Sequence, residues 1–180
     1  MIYMFLADGF EEVEALCPLD ILRRAGLEVT TVGIGKELIR GAHGIFVQAD
    51  MVDVMYRDSA PEMLILPGGM PGSTNLDESK TVDAALKAGA RKGAYLCAIC
   101  AAPLVLGKRG YLEGKRAVCY PGFEGYLTGA TVSETEGVVR DGNVITAKGM
   151  GVAFDFGLEL VRALKDNETA DKIKASVYAK

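Results

Sequence analysis

Tryptophan is absent from this 180-residue chain, histidine occurs once and cysteine four times. A single histidine with no second C-x-x-C leaves too few ligands for a zinc site, so no metal is expected. Basic blocks are missing as well. The 20 Lys and Arg are outnumbered by 24 Asp and Glu, for a net charge of -4. Nucleic acid and anionic membranes are therefore excluded as partners on composition. No apolar run approaches the roughly 18 residues of a membrane span. Residues 1–7 are apolar but carry no basic flank and run straight into Asp8-Gly9, so they read as a first strand rather than a secretory signal. A cytoplasmic protein is expected. Four cysteines in a chain of this length suit reduced thiols better than a disulfide framework.

What is present is 49% hydrophobic residues and 22 glycines, the balance of one compact α/β domain spanning residues 1–180 with many tight turns. Apolar runs predict strands at 2–7, 27–34, 63–66, 94–99 and 117–120. Helical spacing predicts helices at 10–25, 79–92, 101–109, 150–164 and 168–177. Pro18 is expected to interrupt the first and Gly26 to end it. Short strands are expected at 38–50, and Asp141-Gly142 marks a tight hairpin turn within 138–145. Strands alternating with helices predict a mostly parallel central sheet with helices on both faces. Ligands of such sheets bind beyond the C-terminal strand ends. Three segments fall there: Asp8 to Glu14, Pro67 to Gly72 and Cys100 to Pro103.

Tyr95-Leu96-Cys97-Ala98-Ile99-Cys100-Ala101-Ala102-Pro103 is the most informative of them. A buried strand turns into a helix and leaves Cys100 at the turn, the layout of a nucleophile elbow. A helix N-terminus behind it would favour thiolate. Cys97 lies within the strand and reads as core rather than as half of a redox pair. Cys17 reads as helix packing. Cys119 ends a strand and is a candidate site-lining or resolving thiol. The Pro67-Gly68-Gly69-Met70-Pro71-Gly72 loop lets backbone N–H groups approach a ligand. One of them, with the Ala101 N–H, would make an oxyanion hole beside the thiol.

Glu11 and Glu12 read as a solvated first turn. Glu14, flanked by apolar residues, is the carboxyl that burial would keep protonated and hydrogen-bonded to sulfur. His43 reads as exposed and no strand-end loop presents it. Tyr120, before Pro121-Gly122, is the better polar site group.

Taken in order, these segments resemble the ThiJ/PfpI superfamily, in the branch of the parkinsonism-associated protein deglycase. Leu6-Ala7-Asp8-Gly9-Phe10-Glu11-Glu12-Val13-Glu14 is similar to its acidic motif, and residues 18–26 to the rest of its first helix. Leu66-Pro67-Gly68-Gly69 with Asn75-Leu76 is similar to its Gly-Gly loop. Ala98-Ile99-Cys100-Ala101-Ala102-Pro103 is similar to its elbow. The resemblance covers nearly the whole chain. It implies a flavodoxin-like three-layer sandwich, a class I glutamine amidotransferase-like domain, and a homodimer.

It further implies Cys100 as the reactive, oxidisable thiol, Glu14 as the protonated carboxyl on its sulfur, and Gly69 and Ala101 as the oxyanion donors. Processing of small reactive carbonyls such as methylglyoxal, without a cofactor, is the activity implied. Redox sensing or stress-chaperone action through Cys100 is the alternative. The substrate or partner is then a small carbonyl or an oxidant. Two departures bear on this. The protease branch has His directly after the nucleophile, where this chain has Ala101, which disfavours proteolysis. The deglycase branch often has His before a Pro, where this chain has Tyr120. Tyrosine, with an ordinary pKa of about 10, is a weak base at neutral pH.

Overall fold

The computed structural model describes residues 1–58 and 60–179. β1 (Ile2–Leu6) leads into α1 (Glu12–Arg24), then β2 (Val29–Gly33), β3 (Leu38–Arg40), β4 (Phe46–Gln48), β5 (Met51–Val52) and β6 (Met63–Leu66). There follow α2 (Gly72–Glu78), α3 (Lys80–Lys92), β7 (Tyr95–Ile99), α4 (Pro103–Gly107), β8 (Arg116–Ala117) and β9 (Thr131–Val132). β10 (Val138–Asp141), β11 (Val144–Ala147), α5 (Ala153–Leu164) and α6 (Asn167–Ser176) complete the chain.

The main sheet has seven strands in the order β10-β11-β7-β6-β1-β2-β5. Every neighbouring pair is parallel except the β10–β11 hairpin. The strands are apolar on both faces because helices cover both. Ile2, Met4 and Leu6 of β1 join one core with Ile65, Cys97, Ile99 and the inner sides of α1, α5 and α6. Tyr3 and Phe5 join the other with Leu64, Leu66, Ala98 and residues of α2, α3 and α4. The result is the three-layer, flavodoxin-like sandwich expected, with β3–β4 and β8–β9 as small accessory sheets.

The differences from expectation have local causes. Pro18 lies inside α1 and does not interrupt it. Gly157 of α5 makes room there, since a Cβ on it would stand 3.0 Å from the Pro18 Cα. α2 was not expected, because Gly72-Ser73-Thr74-Asn75 carries neither apolar periodicity nor strong helix formers. The helix after the elbow is only five residues long, beginning at Pro103, with turns on either side. The strand expected at 117–120 shrinks to Arg116–Ala117, paired with β9 outside the main sheet. The helix expected from 150 starts with a single 3-10 turn, Met150–Val152, before α5. None of the helices is long and apolar enough to cross a membrane among the described residues.

Candidate active site

The three segments expected beyond the strand ends do converge. The Glu11 N–H donates to the Gly68 carbonyl at 2.9 Å, and the Gly72 N–H to the Gly9 carbonyl at 3.2 Å. Gly69 holds a positive φ of 89°, and a Cβ there would fall 2.3 Å from the Glu11 nitrogen. Only glycine fits both the conformation and the space.

Cys100 stands where β7 ends, in the left-handed region at φ 65°. Its N–H donates to the Ala147 carbonyl at 2.9 Å, and its carbonyl accepts the Tyr120 N–H at 2.8 Å. Both ties hold the residue in a conformation that side chains other than glycine's rarely adopt. The N–H groups of Gly69 and Ala101 are directed at its sulfur. They form two donors beside one nucleophilic atom, the arrangement an oxyanion requires.

Glu14, in the first turn of α1, is 1% exposed and meets this thiol. Its carboxyl has the Cys100 thiol and the Gly68 and Met150 N–H groups around it. Oε2 is nonetheless buried without a well-aligned donor. Burial, followed by the nearby Glu11 charge, outweighs those hydrogen bonds and raises the carboxyl to about 7. The Cys100 thiol is pushed up to about 12 by burial first, then by the charge and hydrogen bond of Glu14.

This corrects the expectation of a thiol lowered by a helix N-terminus. α4 is short and starts at Pro103, so the Gly69 and Ala101 N–H groups oppose burial and a carboxylate almost alone. Two negative charges do not fit side by side. Above about pH 7 the pair therefore holds one proton on a single S···O hydrogen bond.

The first turn of α1 also differs from expectation. Glu12 is 4% exposed rather than solvated. Its carboxylate accepts the His43 N–H at 2.8 Å, the Ile45 N–H at 3.4 Å, and bonds His43 Nδ1 at 2.9 Å. Burial works against ionisation, but these hydrogen bonds outweigh it and lower the carboxyl below its usual range. Glu11 caps α1 through the Glu14 N–H and is half-buried. His43 is exposed, as expected, with a side chain tied to Glu12 and a pKa raised by it. Glu11, Glu12 and His43 place ligand-type atoms within 4.8 Å of one another. Both Glu12 oxygens are already bonded to His43 in the 41–45 turn, so the cluster reads as an anchor for the β3–β4 hairpin.

Of the other candidates, Tyr120 is half-exposed and its ring lies beside Gly149 at the edge of the site. Cys119 is 3% exposed and packs into the core on the α2–α4 side, together with Ala117 two residues back. Burial, then the Glu124 charge, raises the Cys119 thiol to about 11. Cys97 is wholly buried in the strand and Cys17 is half-buried against the α1–α5 core. The Gly149–Val152 turn, whose residues from 150 onward read as helix in the sequence, follows β11 and brings the Met150 N–H to Glu14.

The chain matches the model of the DJ-1/PfpI family over residues 1–163. It is 32% identical over 164 residues to a protein of Caenorhabditis elegans named glutathione-independent glyoxalase DJR-1.2, covering 91% of this chain and 87% of that one. It is 33% identical over 161 residues to a protein of Pyrococcus abyssi named as a deglycase, covering 88% and 96%. The solved structure of oxidized Toxoplasma gondii DJ-1 superposes with a TM-score of 0.94 at 33% identity, covering 99% of this chain and 97% of that one. The buried carboxyl, the strained cysteine and the two glycines thus sit on a scaffold shared along almost the full length, and the chain belongs to the DJ-1/PfpI family.

Proposed function

We propose that the chain converts small reactive carbonyls by cysteine catalysis, taking methylglyoxal to lactate without a cofactor. The observation that carries this reading is the Glu14 carboxyl, raised to about 7 and seated on the Cys100 thiol. A proton carrier works best when its pKa is near the working pH. The names of the glyoxalase and deglycase relatives support the same class of chemistry.

The steps balance internally. Cys100 Sγ bonds to the aldehyde carbon, the carbonyl π bond opens, and the thiol proton passes to Glu14. The Gly69 and Ala101 N–H groups hold the new oxyanion, to which Glu14 passes that proton, giving a hemithioacetal and leaving Glu14 ionised. Glu14 then removes the hydrogen from that carbon and returns it to the neighbouring carbon, while the hydroxyl proton moves to the neighbouring oxygen. The hemithioacetal thereby becomes the thioester of the 2-hydroxy acid. Water cleaves the thioester, releasing lactate and restoring the thiol. One water is consumed and nothing is reduced or oxidised overall.

Lactate formation from methylglyoxal, measured beside Cys100→Ala and Glu14→Gln, tests this. Turnover lost in both variants is expected. Equal activity in parent and Cys100→Ala would sink the reading.

A second reading is a redox-sensing stress chaperone with no significant turnover. It is favoured by one observation, that a relative 33% identical has been solved in an oxidized form. Here peroxide oxidises the Cys100 sulfur to sulfenic acid with release of water, and a second peroxide takes it to sulfinic acid. Peroxide treatment followed by peptide mass spectrometry should then mark Cys100 before Cys17, Cys97 or Cys119. Equal oxidation of all four would count against it.

A further inference from the structure

Next to the reactive pair lies a cavity of about 400 Å³, between Tyr120 and Pro121 on one side and Lys148 to Val152 on the other. Both walls are tied to the chemistry. The Tyr120 N–H donates to the Cys100 carbonyl at 2.8 Å. The Met150 N–H serves the Glu14 carboxyl. Gly149 forms the floor where they meet. A Cβ there would stand 3.3 Å from the Tyr120 ring and 3.6 Å from Glu14 Oε1, so the buried carboxyl lies directly behind this floor.

The lining is mainly apolar. The Tyr120 ring, Pro121, the Met150 thioether and the Val152 side chain dominate it. Tyr120 is 51% exposed and Met150 55%, so two large side chains stand at the mouth with much of their surface uncovered. The single cation is turned aside. Lys148 Nζ donates to the Glu134 carbonyl.

An aldehyde bound for attack has its carbon at the sulfur and its oxygen at the Gly69 and Ala101 N–H groups. Its remaining substituent needs a place. A methyl group fills little of 400 Å³, given that one water takes about 30 Å³ in the liquid. We infer that this cavity receives the carbonyl substrate's substituent, and that the chain prefers 2-oxoaldehydes bearing an apolar chain of several carbons over methylglyoxal. The inference rests on the carbonyl-processing reading above and specifies its substrate class. Tyr120 and Met150 are the residues that set the preference.

The test separates the two claims. Cys100 alkylation by iodoacetamide, N-butyl iodoacetamide and N-hexyl iodoacetamide is followed by peptide mass spectrometry, with glutathione as the reference thiol. The Cys100 rate relative to glutathione should rise along the series, by up to about fourfold per methylene buried. The rise should flatten in Met150→Ser and Tyr120→Ser. Both residues are half-exposed, and a melting curve for each variant checks that the fold is kept. In parallel, kcat/KM is measured for methylglyoxal and for 2-oxoheptanal, with a gain on the order of tenfold or more expected for the longer substrate. A rate series no steeper than glutathione's, a series unchanged in both variants, or a Cys100 that none of the reagents reaches overturns the inference. Methylglyoxal turnover without a gain for 2-oxoheptanal overturns it too and leaves the carbonyl-processing reading standing. A steep alkylation series with no turnover of either aldehyde keeps the apolar cavity and sinks that reading instead.

Discussion

A methyl group on Gly68 would stand 2.4 Å from the Cβ of Cys100, and 2.3 Å from Glu14 Oε2. The thiol and the carboxyl approach each other through the space where an ordinary side chain would be. Gly68→Ala should therefore separate the pair or push back the elbow. Overpacking of this kind costs about 1–3 kcal/mol. We expect a lower melting temperature together with loss of methylglyoxal turnover. A variant that melts and turns over like the parent would show that the two groups do not need this contact.

Cys100 stores strain that its side chain causes. At φ 65° a residue with a Cβ is disfavoured by about 1–2 kcal/mol, whereas glycine is at ease there. Cys100→Gly should thus be more stable than Cys100→Ala by about 1 kcal/mol, although both lack the thiol. For a chain of this size that amounts to a rise in Tm of roughly 2–4 °C. Equal melting of the two variants would mean that the elbow relaxes once sulfur is gone.

What could be read from the sequence was what neighbours in the chain decide. The apolar strand before Cys100, the small residues after it and the Gly68-Gly69 pair are local signals, and all three segments lie at the strand ends as expected. Glu14 was singled out because its chain neighbours are apolar, and it is buried. Glu12 differs because its burial comes from the 41–45 turn, some 30 residues away, whose N–H groups reach back to it. The Met150 N–H at Glu14 spans a still longer separation and leaves no local trace. The thiol's raised pKa was missed for a related reason. A short α4 and a facing carboxylate are facts of packing, and they reverse what an elbow alone suggests.

The Cys100–Glu14 pair should titrate as a unit. Its first proton leaves near pH 7, where Glu14 ionises, and the remaining proton is shared with sulfur. Alkylation of Cys100 by iodoacetamide should rise through that pH in the parent. In Glu14→Gln the pair's acidic member is gone and only the buried thiol titrates, so the rise near pH 7 should vanish and reappear at higher pH. Mass-spectrometric rate profiles from pH 5 to 10 check this. The same midpoint in parent and variant would show that Glu14 does not share the proton.

Glu12 should matter to the hairpin rather than to the chemistry. Its carboxylate satisfies the His43 and Ile45 N–H groups, and hydrogen bonds to a charged acceptor are worth about 1.5–3 kcal/mol each. Glu12→Ala leaves both donors without that partner, and amide hydrogen exchange at His43 and Ile45 should quicken. Glu12→Gln keeps an acceptor oxygen and should restore most of the protection. Unchanged exchange in Glu12→Ala would show that solvent replaces the carboxylate at no cost.

Glu14 should make the protein less stable as pH rises, the reverse of an ion-paired carboxylate. Its folded value of about 7 lies above the ordinary 4.5. Below pH 4.5 the group is protonated in both the folded and the unfolded chain and has no effect. Between pH 4.5 and 7 only the unfolded chain releases its proton, so unfolding is increasingly favoured. Above pH 7 the penalty is complete, at about 3 kcal/mol for 1.36 kcal/mol per pH unit. Glutamine has the shape of the protonated carboxyl and does not ionise, so Glu14→Gln escapes this penalty. Denaturant titrations should find the variant more stable than the parent at pH 8, by an amount on that order, and the two alike at pH 4. A variant that is less stable than the parent at pH 8 would mean that the ionised carboxylate is held by more than the Cys100, Gly68 and Met150 hydrogen bonds.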